Sequence, residues 1–158
     1  MQLDDEVKTT KPKKVIKSTE LFVPINDTLS LPLLTGKDTY LLKANLCDNV
    51  NLGCILNDNT PALKRVEKVV HTINEYSFVI DSGERVLVDT GLVFNPPVKS
   101  SYFSKSLAKL VFEKNITSDV LIDDDRLFIV LTNNSKSRVK ITNDMFLCEL
   151  IIIENKND

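Results

Sequence analysis

A chain of 158 residues, 42% of them hydrophobic, is long enough for one domain with its own core. Aromatics make up only 6% and Trp is absent, so the core must be built from Ile, Leu and Val. A net charge of -2 excludes a nucleic-acid binder that works by bulk positive charge, since counterion release needs a basic excess.

Residues 1–18, MQLDDEVKTTKPKKVIKS, are polar and mixed in charge. Such a composition cannot bury enough surface to offset its ordering entropy, so a flexible arm is expected over 1–18 and a single domain over 19–158. Lys11, Lys13, Lys14 and Lys17 give the arm a second reading as a basic partner-binding segment. No apolar signal core occurs at the N-terminus, which sets the expectation of an intracellular or virion protein that is not secreted through a signal peptide. No apolar run reaches the roughly 18 residues of a membrane-spanning helix, so no membrane partner is expected. Cys47, Cys54 and Cys148 are odd in number and lack CxxC spacing, which fits a reducing compartment better than a disulfide framework.

Beyond residue 18 the chain reads as short strands between turns. ELFVPI ends at NDT, LSLPLL at TGKD, and TYLLKANL at CDN. ALKRVEKVVHTI (62–73) fits a helix face through Leu63, Val66, Val69 and Val70, and its β-branched content fits a strand equally well. YSFVI leads to DSGE, where Gly83 can take a positive φ. RVLVDTGLVF runs through Gly91 and stops at NPP. RLFIVLTN stops at NSKS, RVKI at TND, and FLCELIIIE follows. Many β-branched segments at short spacing, punctuated by Gly, Pro, Asn and Asp, define an all-β sandwich or barrel. One stretch differs: SKSLAKLVFEKN places Leu107, Leu110 and Val111 on one helical face, with Ser104 or Ser106 as N-cap and Asn115 as terminator.

Asp123, Asp124 and Asp125 are the one acidic cluster that invites a metal or catalytic reading. Successive residues of an extended segment point to opposite faces, so three in a row cannot converge on one ion, and like charges repel. The reading is a solvated turn ahead of a buried strand. His71 is the only histidine, which leaves no choice of base for a Ser or Cys nucleophile. No P-loop, GxGxxG or HExxH occurs. The Asn115-Ile116-Thr117 sequon is discounted without a signal peptide. No metal or cofactor is expected.

The order ERVLVDTGLVFNPP, SYFSKSLAKLVFEKN, IDDDRLFIVLTNNS and VKITNDMFLCELIII resembles the trimeric dUTPase family over residues 85–154. LLKANLCDN is a weaker match to that family's first motif. The resemblance lies in element order and hydrophobic pattern, with no motif intact. It implies an all-β, dUTPase-like jelly-roll β-barrel carrying one short helix. In the family's second motif an arginine and a serine bind phosphate ahead of a Leu-Ala pair. Leu107 and Ala108 are kept here, but Ser104, Lys105 and Ser106 precede them, and Lys lacks the planar fork that grips phosphate bidentately. The family's catalytic aspartate has Asp119 or Asp123 as candidates only through a gap, and no tyrosine falls at the stacking position. In the fourth motif Phe146 replaces an arginine and Glu149 a glutamine. The Gly-rich closing arm is expected to be missing, since the sequence ends in IIIENKND.

Phosphoryl chemistry is mostly positioning and charge neutralisation, so a site lacking these groups should bind a triphosphate poorly. The resemblance therefore implies a non-catalytic structural or interaction protein on a dUTPase-like scaffold, viral in setting, capsid-associated or regulatory, with homotrimers and other assembly subunits as its partners. The alternatives are a divergent Mg-dependent dUTP nucleotidohydrolase and a regulatory binder that imitates a dUTPase surface. The last strand carries the trimer expectation. MFLCELIII is apolar on both alternating faces, and Met145, Leu147, Ile151 and Ile153, with Glu149, fall on the face assigned to the subunit interface.

Overall fold

The structure is a computed structural model that describes residues 20–25, 29–46, 52–54 and 76–155. The arm at 1–18, the 62–73 segment, His71 and Cys47 lie outside the described residues. Eleven strands and one short helix occur among the described residues. In chain order they are β1 (Phe22–Pro24), β2 (Leu33–Leu34), β3 (Thr39–Lys43), β4 (Leu52–Cys54), β5 (Ser77–Ile80), β6 (Arg85–Phe94), β7 (Ser100–Ser106), α1 (Ala108–Lys114), β8 (Ile116–Asp123), β9 (Arg126–Asn133), β10 (Val139–Thr142) and β11 (Phe146–Glu154). Among them, no helix is long and apolar enough to cross a membrane.

Two sheets face each other. The first runs β1–β6–β9–β8, with β4 also pairing β6, and the second runs β2–β3–β11–β7. A two-stranded β10–β5 ribbon completes the all-β fold. The core between the sheets is aliphatic, as the composition requires. Val86, Val88, Leu127, Ile129, Leu131, Leu147 and Leu150 are fully buried, each burial being worth about 1.5–3 kcal/mol. The central strand β6 does not alternate in burial, because Leu87 on its other face is covered as well. At the TGL step β6 bulges: the β6–β9 register shifts opposite Leu127 and Phe128, and Gly91 takes φ +73. A Cβ there would sit 2.4 Å from the end of the Leu29 side chain, so both the conformation and the close approach favour glycine. Asp89 holds the bulge by accepting from Gly91 N–H at 2.9 Å and pairing with both oxygens to Arg126 at 3.0 and 3.1 Å.

The all-β class and the single short helix are as expected, but the sheets are not closed into a barrel. Main-chain pairing stops at β7 on one sheet and β8 on the other. A second difference is β7 itself. SSYFSKS is polar and shows no buried alternation, so it carries no strand signal, and its last residues read as the start of a helix. The helix begins only at Ala108, with Leu107 as N-cap and no capping side chain; Asn115 ends it in the left-handed conformation as expected. Of the expected apolar face only Leu110 is buried.

A third difference concerns β11. Its register against β3 shifts between Phe146 and Cys148, so Leu147 is an extra residue in a bulge. The alternation slips there, and Leu147 and Cys148 are both fully buried within the single chain. Leu147 is therefore a core residue and not an interface residue. Met145 packs against the core from the turn before the strand, while Ile151 is half-buried and Ile153 is 43% exposed.

Two buried asparagines tie loops to this frame. Asn45 accepts from Ser30 N–H and donates to the carbonyls of Ser30 and Thr90. Asn133 donates to the carbonyls of Ile80, Asp81 and Ser137, and accepts from the Ser135 N–H and hydroxyl.

Candidate functional site

The residues that the resemblance assigns to phosphate lie on β7, and those it assigns to water activation lie on β8. The fold brings the two strands side by side at the edges of opposite sheets, joined by α1. Ser104 and Ser106 are two apart, so both face the interior side of β7, while Lys105 faces out. The Ser106 hydroxyl accepts from the Ser118 N–H at 2.8 Å and donates to the Ser118 carbonyl at 3.0 Å. The Ser104 hydroxyl accepts from the Val120 N–H at 3.1 Å and donates to the Asp119 carboxylate. An edge strand presents unpaired N–H and C=O groups that need partners. Here two serine side chains supply them, so that β7 and β8 form a seam between the sheets. This use of Ser106 also explains why neither serine caps α1. Ser106→Ala strands one N–H and one C=O of Ser118, and should cost about 1–3 kcal/mol, read as a lower urea midpoint at unchanged m-value.

Charge at this place is mixed. Lys105 is exposed and lies 3.9 Å from Glu149, its cross-strand neighbour. Asp119 is exposed beside the seam. The outer surface next to Asp119 holds an open concavity of about 420 Å³ lined by Arg85, Thr117, Val130 and Thr132. Across it Arg85 Nε donates to Thr132 Oγ1 at 3.3 Å. Phe146, which stands for an arginine in the resemblance, has the Lys43 ammonium 5.1 Å from its ring centroid, a cation–π contact that joins β3 to β11.

Cys148 lies under the seam, opposite Ser106. Burial pushes its thiol up to about 11 from an ordinary 9.0. Folding thus disfavours the thiolate. The contribution is fully present below pH 9, where both states are protonated, and is lost as pH rises through about 11. With Cys47 and Cys54 replaced by serine, an aromatic disulfide reagent at pH 8 should label Cys148 only after denaturant is added.

The aspartate run is a turn. Asp123 ends β8, and Asp124 and Asp125 have φ of 51° and 66°, the paired left-handed conformation of a two-residue hairpin. Aspartate tolerates that region better than most residues. The Asp125 carbonyl accepts from Phe94 N–H at 2.7 Å, which fixes the turn against the end of β6. All three side chains are exposed. Among the described residues no group of three His, Cys, Asp or Glu could hold a metal ion. Sequence reasoning missed the structural use of Ser104 and Ser106 and the buried roles of Asn45 and Asn133.

No protein-family model matches the chain, and no curated protein matches it. Solved structures do. The dUTPase of Staphylococcus bacteriophage 80alpha aligns with a TM-score of 0.58 at 9% identity, covering 87% of this chain and 90% of that one. The dUTPase from phage phi11 of S. aureus aligns at 0.56 and 9%, with the same coverages. A D95N mutant of the phi11 enzyme, described for its coordination of a structural Mg(II) ion, aligns at 0.57 and 11%, covering 87% and 91%. The chain therefore has the dUTPase fold.

Proposed function

We propose that the chain is a non-catalytic structural or interaction protein built on the dUTPase-like scaffold and assembled as a homotrimer, in a viral setting, either capsid-associated or regulatory. The observation that carries the reading is the seam. Both serines at the place the resemblance assigns to phosphate spend their hydroxyls on β8, Ser106 on the Ser118 main chain and Ser104 on the Val120 N–H and the Asp119 carboxylate. The neighbouring charges are mixed, Lys105 and Arg85 against Asp119 and Glu149, where a triphosphate needs a cationic cradle. Among the described arginines, Arg126 is paired with Asp89 and Arg138 with Asp81 at 3.0 Å. The viral setting is supported by the phage origin of the aligned enzymes, some described as controlling the transfer of virulence genes.

A second reading, a divergent Mg-dependent dUTP hydrolase, draws on one observation: Asp119 is an exposed carboxylate beside a concavity. Calorimetric titration with the imido analogue of dUTP and Mg²⁺ separates the two. The scaffold reading expects no binding heat at millimolar ligand. Saturable binding that is lost in Asp119→Asn supports the hydrolase.

A further inference from the structure

Residues from the ends of both sheets line a cleft where β6 stops and β7 starts. It holds about 460 Å³, within the roughly 300–1,000 Å³ of small-molecule sites. Tyr40, Pro97 and Ile152 give it an apolar lining, and Lys37, Asp38 and Glu154 bring charge to it. The Tyr40 ring is held edge-on against Phe22, with centroids 5.1 Å apart. Both turns that flank the cleft are pinned. On one side Thr35 N–H donates to the Thr39 carbonyl at 2.8 Å, and Ile152 N–H to the Asp38 carbonyl at 3.0 Å. On the other, Asn95 N–H donates to the Leu21 carbonyl at 2.8 Å, and the Ser100 hydroxyl to the Pro97 carbonyl at 2.6 Å. The cleft is therefore preformed, which lowers the cost of binding.

We infer that this cleft binds a neutral polyhydroxylated ring, a saccharide. Charge removes the other classes. Lys37, Asp38 and Glu154 enter none of the ion pairs among the described residues, so their charges face the cleft unneutralised. Glu20 and Lys99, within two residues of the lining, are opposite in sign. A phosphate or nucleotide would meet two carboxylates, and a cation would meet Lys37. A wholly apolar ligand would take water from three charged groups and replace none of it. A sugar ring avoids all three costs. Its hydroxyls both donate and accept, so one can give to a carboxylate while its neighbour takes from the Lys37 ammonium. Its C–H face is apolar and can lie on Tyr40 and Pro97. The cleft borders the start of β7, whereas Ser104 and Ser106 of the seam lie at its end, so the inference stands whether or not the chain hydrolyses dUTP.

Saturation-transfer NMR on the full chain tests this with millimolar D-glucose, D-galactose, D-mannose and N-acetylglucosamine. L-leucine and pyrophosphate serve as the zwitterionic and anionic comparisons. The expected result is saturable binding of at least one sugar, with shifts in the amide signals of Lys37, Asp38, Tyr40 and Glu154. Asp38→Ala and Glu154→Gln should each weaken that binding about tenfold. Glu113→Ala, on α1 and outside the cleft, should leave it unchanged. Absence of transfer from all four sugars overturns the inference. So does sugar binding that survives both cleft substitutions, or saturable binding of L-leucine or pyrophosphate in place of the sugars. Should a variant fail to fold, the wild-type amide shifts decide: shifts centred on the cleft support the site, and shifts elsewhere or none overturn it.

Discussion

Asn133→Ala lowers stability by about 3–5 kcal/mol, enough to unfold a domain of ordinary stability in moderate denaturant. The reason is the number of main-chain groups that depend on one buried amide. Its nitrogen serves the carbonyls of Ile80, Asp81 and Ser137, and its oxygen serves the N–H and hydroxyl of Ser135. Together these bonds hold the end of β9 to the β5–β6 turn and to the loop before β10. Alanine removes the side-chain partner of every bond at once and strands the other, the buried Ile80 carbonyl above all. Asn133→Asp should cost a similar amount, since a carboxylate there faces three carbonyl oxygens. The neighbouring Asn134 is exposed, and its side chain donates to Thr117 Oγ1 at 3.1 Å. Asn134→Ala should stay within about 1 kcal/mol. Urea denaturation of the three variants checks the contrast.

Leu147→Ala costs about 2–5 kcal/mol, independent of protein concentration. Leu147 is 0% exposed and sits in the cluster between the sheets, so truncation leaves a cavity that the rigid strands on both sides cannot close. Ile151→Ala on the outer face removes half-buried surface and leaves no cavity, so in dilute protein it should cost about 1 kcal/mol or less. Had Leu147 belonged to the interface, its truncation would be mild in dilute protein and severe only where the protein associates. Unfolding midpoints measured at several protein concentrations separate these outcomes.

The two substitutions mark where the sequence was legible. β9 and β11 lie at their predicted bounds, 126–133 and 146–154, because apolar β-branched runs are closed by Asn, Asp and Ser turns. The Asp124-Asp125 turn was legible for the same reason. The bulge at Leu147 was not, because one inserted residue reverses the phase of everything before it while leaving the composition unchanged. β7 was hidden because its inward residues Ser104 and Ser106 are polar, with their partners on another strand. That same feature hid the seam: the resemblance placed Ser104, Ser106 and Asp119 near one site, and only the pairing of β7 against β8 shows what the hydroxyls hold. The apolar outer face of the second sheet was half legible. β11 advertised it through Ile151 and Ile153, while Phe103 and Leu33 join it only through cross-strand register.

The proposal that this chain does not hydrolyse dUTP is tested most directly by pyrophosphate release from dUTP. With purified protein and Mg²⁺, release is expected at the rate of buffer alone, the same for the wild type and for Asp119→Asn. Steady Mg²⁺-dependent release by the wild type that falls to background in Asp119→Asn would contradict it.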